Sequence, residues 1–597
     1  MRIILFALFI LISISSLFAQ QDDRIKGLEK ELNTILEVTK APGFAVAIVE
    51  GKKIIYAKGF GYSDYENKIS ADANTLFAIG SSSKAFTSSI LGQLRQEDKV
   101  SFDDSPIKYI PDLKFHNDEM NNNIIIKDLM SHRTGLPRHD YSWYLFPTNN
   151  KDSLLLRVAH HEPFTGVRQQ WYYNNFMFLA QGVIAERITG KSWEENIKER
   201  FFKPLGMTRS NVSIDELEKS SNAAIGYELK KDSIISKMDY YHIAGMGPAG
   251  SINSSVNEMS NWLITWINKG KFNDQQILPQ AYMNEAISSQ MVITGALPEK
   301  KFPDMHFANY GYGWMLTSYK GHYRVEHGGN IDGFSASVAF YPSDSIGVVV
   351  LTNQDGSNVP WMVRNTIADR ILKTSKTDWV QDLKEEKLKA KEAAKSTSGS
   401  VKVENTKPSH IMQDYTGKYS NPGYGEFTIT NRNDSLFANF KLVKWYLRHV
   451  NYDVFEPFEV TKTGIDTTDS GALRLNFYTN DIGEISLVKM KIEEALDHPI
   501  EFKHKPNIID VDMVTLERYV GDYEFSGVGI KIYLKNKNKL YLFVEGQPEY
   551  EMIASDHHKF SFKALEGFKV EFIESDDKSI KEVLMIQPNG TFKAARK

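Results

Sequence analysis

"IGSSSKAFT", Ile79 to Thr87, places three serines and a lysine between a glycine and a phenylalanine. Ser81 and Lys84 stand three apart, so a helix over this stretch carries both on one face, a turn from each other. Phe86, Ile90 and Leu94 then recur at helical spacing and supply a face to bury. Ser81 follows Gly80 and falls in the first turn, where unsatisfied backbone N–H groups favour developing negative charge. A serine held there beside a lysine base is a candidate nucleophile. The same residues also describe an N-capping serine and a solvated lysine. The rest of the chain has to separate the two readings.

That chain has 597 residues, a length that allows about four domains. Hydrophobic residues make up 42% and aromatics 12%, enough for packed cores and against disorder. A net charge of −4 lacks the basic excess of a nucleic-acid binder. With no cysteine, disulfides, thiol nucleophiles, thiolate-bound metals and cysteine-linked lipids are excluded. Met1-Arg2, an apolar run from Ile3 to Phe18 and then Ala19-Gln20 form the pattern of a secretory signal peptide over 1–19. The expectation is an exported protein, periplasmic or secreted, with no membrane span once the signal is removed.

From 24 to 372 helical and strand patterns alternate. "FAVAIVEGKKIIYAKGFGYSD" (Phe44 to Asp64) predicts two strands around a Gly51-Lys52-Lys53 turn, and Tyr323 to Asn353 predicts three more. Helical stretches such as Phe176 to Ile188 and Val256 to Ile267 lie between them. Strands at both ends with helices between predict one α+β domain whose two ends meet in a single sheet. Residues 373–408 change character, from the charged "KEEKLKAKEAAK" to the linker-like "STSGSVKVENTKPS". Beyond them the chain repeats itself. "YTGKYSNPGYGEFTITNRNDSLFANF" begins at Tyr415 and "YVGDYEFSGVGIKIYLKNKNKLYLFV" at Tyr519. Two small all-β modules are expected, 409–506 and 512–597, each a closed or nearly closed barrel, with one larger sandwich as the alternative.

Three further stretches bear on chemistry. "WYYNNFMFLAQGVIAERITGKSW" sets Tyr173 and Asn175 just before an apolar helix. "LMSHRTGLPRHD" (Leu129 to Asp140) is a polar Gly/Pro turn. "HGG" (His327 to Gly329) brings two glycines into a strand, which lets another backbone approach closely.

Ser-x-x-Lys, Tyr-x-Asn and His-Gly-Gly, in that order, resemble the serine β-lactamase and penicillin-binding-protein superfamily. Within it the chain is most similar to the class C β-lactamase-like serine hydrolases, a branch that includes esterases and D-aminopeptidases. "LMSHRTGLP", "FFKPLGM" and "GPAGSINSSVNEMSNWL" add to the resemblance, which covers roughly Ile25 to Leu372. The tail resembles β-barrel modules appended to some of these hydrolases. The resemblance implies an antiparallel sheet flanked by helices with a helical subdomain, followed by the barrels. It implies Ser81 as the nucleophile that forms an acyl-enzyme, Lys84 as the base that activates it and Tyr173 as the proton relay to the leaving group. Asn175 then grips the substrate amide, and the backbone N–H groups of Ser81 and Asn330 form the oxyanion hole. Such a mechanism needs the lysine as a neutral amine. Ser82 and Ser83 are left to cap or line the helix.

His327, Gly328 and Gly329 depart from the Lys-Thr-Gly usual in lactamases and transpeptidases. They offer no hydroxyl and no permanent cation, only a side chain expected to titrate near neutral pH and to touch substrate. The function expected is hydrolysis of an amide or ester in small peptides or esters. A β-lactamase or D-Ala-D-Ala carboxypeptidase is the alternative, and a non-catalytic binding or sensor protein using the barrels is the rival of another class. The loop after His132 either lines the mouth of the site through Arg138, His139 and Asp140, with Tyr141 and Trp143 as walls, or is an exposed polar loop. His160-His161 and His557-His558 are adjacent pairs without metal-ligand spacing, and no cofactor or metal is expected. The partner is a small-molecule or peptide substrate, and the sequence sets no oligomeric state.

Overall fold

The computed structural model describes residues 22–240, 242, 244–293, 304, 306–397, 406–462, 464–467, 472–505, 508–536, 538–565, 567–587 and 589–597. The signal segment 1–19 and part of the linker lie outside them. The chain divides into two compact units: 1–136 with 149–155 and 165–399, and 137–148 with 156–164 and 400–597.

In the first unit the two sequence ends meet in one antiparallel sheet. Gly43–Glu50 pairs with Ile346–Thr352 in a register running from Phe44↔Thr352 to Glu50↔Ile346. On one side of this pair lie Lys53–Asp64 and Ile69–Ser70; on the other lie Phe334–Tyr341, His322–Ile331, Met315–Tyr319, Ala308–Tyr310 and Met291–Ile293. The central strands read as near-continuous apolar runs because both faces are covered. Phe44, Val46 and Ile48 pack with Leu32 and Ile35 of the helix Leu28–Thr39 and Met362 and Ile367 of Val359–Ile371. On the other face Val256–Ile267 presses so closely that a Cβ on Gly347 would sit 3.1 Å from Leu263 and Ile267. The five strands and two helices expected from sequence are all present. The charged helix Trp379–Thr397 docks its first turns on this core through Trp379 and Leu383.

The second unit contains two closed up-and-down barrels of eight strands, which excludes the single-sandwich alternative. The first runs from Gly417–Asn421 to Ile500–Lys505 and closes by pairing those two strands. The second runs from Gly521–Phe525 to Gly590–Arg596 and closes likewise. The repeat survives in atomic detail. Tyr419 Oη donates to Tyr415 O at 2.9 Å, and Tyr523 Oη donates to Tyr519 O at 2.9 Å.

The loop after His132 is exposed at Arg138 and Tyr141 but not throughout. His139, Ser142 and Phe146 are buried within the second unit. Phe146 packs on Phe440 and Phe502, Ser142 Oγ donates to Gly423 O at 2.7 Å, and His139 Nδ1 lies 2.8 Å from Tyr424 Oη. Among the described residues no helix is long and apolar enough to cross a membrane.

Candidate active site

The quoted stretch forms a single 3-10 turn, Gly80–Ser83, that runs directly into the α-helix Lys84–Gln96. Gly80 is needed twice over. Its φ of +51° belongs to the left-handed region, and a Cβ there would lie 2.9 Å from Asn330 N. The two serines of unassigned role tie the turn down. Ser83 Oγ donates to Gly80 O at 2.8 Å and accepts from Ile252 N at 3.1 Å, while Ser82 Oγ donates to His327 O at 3.1 Å.

Lys84 is fully buried, and its Nζ has three partners: Ser81 Oγ at 3.0 Å, Asn175 Oδ1 at 2.7 Å and Ala249 O at 2.7 Å. Two of the three can only accept. Both therefore take hydrogens from Nζ, and the third contact joins Nζ to the Ser81 hydroxyl. Nζ also lies 4.7 Å from the centre of the Tyr173 ring.

Asn174 caps the helix Asn175–Thr189, its side chain accepting from Met177 N at 3.2 Å. The cap turns the chain so that Asn175 meets Lys84 and Tyr173 precedes the helix beside it. Residues Tyr173 and Asn175 are thus brought to Ser81 and Lys84, as the motif order implied.

The strand His322–Ile331 runs against the Gly80–Ser83 turn. A Cβ on Gly329 would fall 1.9 Å from Ile79 O and 3.2 Å from Ser81 N, which places Ser81 N beside Gly329 and Asn330 N beside Gly80. Gly328 is exposed, and a Cβ there would meet only Ala336 O at 3.6 Å. Asn330 Oδ1 accepts from Ser335 Oγ at 2.7 Å and Gly356 N at 2.9 Å, which anchors its peptide.

His327 corrects an expectation. It is 2% exposed, with Nδ1 2.6 Å from Gly328 O and Nε2 2.9 Å from Tyr310 Oη. A carbonyl can only accept, so Nδ1 carries the proton and Nε2 accepts from the tyrosine. Burial, with Lys84 adding to it, pushes the imidazole down to about 3, so it does not titrate near neutral pH. Tyr310 is pushed well above its ordinary value by burial and stays a donor.

Three participants escaped the sequence reading: Tyr310, the Ala249 carbonyl and His132. The stretch "NYGYGW" (Asn309 to Trp314) carried a usable signal, since alternating glycine and aromatic residues mark close backbone approach. Gly313 has φ +75°, and a Cβ there would lie 3.0 Å from Lys84 C and Ala85 N. A cavity of about 90 Å³ is lined by Gly250, which packs on Gly80, and by Val212, Leu217, Phe334, Asp215 and Asp332. Among the described residues no group of three or more His, Asp or Glu side chains is placed to hold a metal ion.

An α+β domain with a serine and a buried lysine at the head of one helix defines the class of β-lactamase-fold serine hydrolases. Residues 28–373 match the family described as Beta-lactamase, and the chain belongs to that family. Residues 401–504 match a domain of unknown function, DUF3471. Protein flp of Staphylococcus aureus (strain N315) is 26% identical over 353 residues, 58% of this chain and 66% of that protein. The chain thus spans just under two thirds of that relative's length. Unguisins hydrolase ungD' of Aspergillus campestris is 26% identical over 409 residues, 65% of this chain and 74% of that protein. The octameric penicillin-binding protein homologue from Pyrococcus abyssi shares the fold, with a TM-score of 0.54 and 20% identity over 80% of this chain and 99% of that one.

Proposed function

We propose that this chain is an exported serine hydrolase that cleaves an amide or ester bond through an acyl-enzyme on Ser81. The observation that carries the reading is the Lys84 amine set between two obligate acceptors and the Ser81 hydroxyl. Ser81 Oγ attacks the substrate carbonyl while Lys84 takes its proton. The backbone N–H groups of Ser81 and Asn330 stabilise the oxyanion. Tyr173 passes the proton to the departing amine or alcohol, which leaves as the Ser81 ester forms. Water then attacks that ester, giving up a proton along the same route, and releases the acid and free Ser81. Asn175 orients the substrate amide, and the Gly328-Gly329 edge lies along it. The reaction is assigned to 24–372; the modules 409–506 and 512–597 contribute no bond-making group.

Small peptides and esters are the favoured substrates. A relative named unguisins hydrolase supports hydrolysis. A β-lactamase or D-Ala-D-Ala carboxypeptidase is the weaker reading. Neutral, buried His327 provides no cation for a substrate carboxylate, and Gly328 provides no hydroxyl. The signal-like segment 1–19 supports export.

A fluorophosphonate should label the protein once, on Ser81, and Ser81→Ala should abolish both label and turnover of p-nitrophenyl esters. Lys84→Ala should lower kcat by about 10³-fold or more, because the hydroxyl loses its base. An adduct mapped to any other serine would overturn the assignment.

A further inference from the structure

We infer that His132 is a positioning residue that holds Tyr173 in place for proton transfer. The inference rests on the reading of Tyr173 given above. The two amides that flank Tyr173 both end on His132: Tyr172 N donates to His132 O at 3.0 Å, and Asn174 N donates to His132 Nδ1 at 3.1 Å. The ring lies 4.4 Å from the Tyr173 ring and 4.8 Å from the Tyr310 ring, so it braces the phenol as well as its backbone. Since Nδ1 accepts from an amide, the ring proton sits on Nε2.

The backbone at His132 is in an unfavourable conformation, with φ +55°, and the residue is 1% exposed. Left-handed backbone in a non-glycine residue persists where surrounding contacts over-determine it, and it clusters at functional sites. Those contacts are present. Asp128 binds Arg133 at 2.6 Å and Arg168 at 2.7 Å, and Arg168 N donates to Arg133 O at 2.8 Å. The turn carrying His132 is thereby tied to the segment carrying Tyr173 on both sides of the clamp. Proton transfer tolerates little displacement: a shift of about 1 Å in a reacting group can cost about 10²-fold in rate.

Asparagine separates this role from mere packing. Its Oδ1 stands where Nδ1 does, and asparagine tolerates positive φ, whereas glutamine carries its oxygen one bond too far out. His132→Asn should keep kcat within about threefold of the parent, and His132→Gln should lower it about 30-fold or more with KM nearly unchanged. In a Tyr173→Phe background His132→Gln should add almost nothing, because the residue it positions is already gone. That second measurement uses the same folded-state check, circular dichroism and thermal unfolding, on every variant. Equal activities for the Asn and Gln variants, a loss in KM alone, or full additivity with Tyr173→Phe would overturn the role. Turnover by Ser81→Ala in the same assay would overturn the reading of the site and the role of His132 with it. An inert Ser81→Ala beside indistinguishable His132 variants would overturn His132 alone.

Discussion

Two adjacent glycines of one strand face different surroundings, and the difference is a matter of ångströms. Gly329 lies where the strand crosses the Gly80–Ser83 turn, and its missing Cβ is the space in which Ile79 O sits. Gly328 is exposed, and a Cβ there would meet only Ala336 O at 3.6 Å. Gly329→Ala must push the turn and the strand apart, and backbone on both sides leaves nothing flexible to give. It should cost about 1–3 kcal/mol or more in stability, as overpacking does, and it should separate Ser81 N from Asn330 N. We expect esterase activity to fall at least about 100-fold in Gly329→Ala, because an oxyanion donor is typically worth that much. Gly328→Ala should stay within a few-fold of the parent. Equal behaviour of the two variants in kcat/KM and urea unfolding would remove the geometric basis of the proposed oxyanion hole.

At the scale of elements, the helix Asn175–Thr189 is apolar nearly all round, as expected of a helix buried on every side. Gly182 in its middle is therefore not a helix-weakening accident. A Cβ there would sit 2.3 Å from the Pro248 ring, so glycine is what lets the short helix Gly247–Gly250 pack against it. That short helix carries Ala249 O, one of the two obligate acceptors on Lys84. Gly182→Ala gains about 1 kcal/mol of helix propensity and loses more to the clash. The expected outcome is lower stability in urea together with lower kcat, since Ala249 O moves off Lys84. A more stable, fully active Gly182→Ala would mean that the two helices have room to spare. The apolar run was legible in the sequence; the identity of the partner across Gly182 was not, because Pro248 is distant in the chain.

For the whole molecule, the second unit draws 137–148 and 156–164 out of the hydrolase stretch of sequence. These segments bring two buried histidines together, with the His139 and His161 rings stacked 4.3 Å apart and His161 Nε2 2.8 Å from Gly423 O. Burial first, and His139 beside it, hold His161 well below its ordinary 6.5, while the Gly423 carbonyl opposes them and Arg157 and His160 add to the depression. The folded His161 thus stays neutral where the unfolded chain takes a proton. Stability is complete above about pH 6.5 and is lost as the pH falls below it, by up to about 1.4 kcal/mol per pH unit for one such group. Glu493, whose carboxyl is raised by burial and which accepts from His139 N at 2.6 Å, works in the opposite direction nearer its own ordinary range of about 4.5. Unfolding temperatures compared at pH 7.5 and 5.5 should therefore fall more steeply for the parent than for His161→Gln. Parallel curves would mean that His161 takes up its proton while folded.

The sequence by itself determined what depends on neighbours in the chain. The alternating and apolar runs set the sheet strands, the Ser-x-x-Lys stretch set the start of a helix, and the Tyr-x-Gly-x-Tyr repeat set two similar β modules, whose closure into barrels the structure decided. The order of Ser-x-x-Lys, Tyr-x-Asn and His-Gly-Gly was legible for the same reason, since each is a local pattern of residue types. Only the tertiary structure decided what depends on neighbours through space. It set Ile79 against Gly329, closed Tyr310 over His327 and placed His132 on both amides flanking Tyr173. An imidazole that reads as a neutral-pH switch in sequence is held well below neutral pH in a buried pocket, because its proton affinity belongs to its surroundings. The polar "PRHDYSW" loop became a core element of the second unit, because hydrogen-bond partners from 423, 424 and 493 paired its polar groups and so allowed their burial.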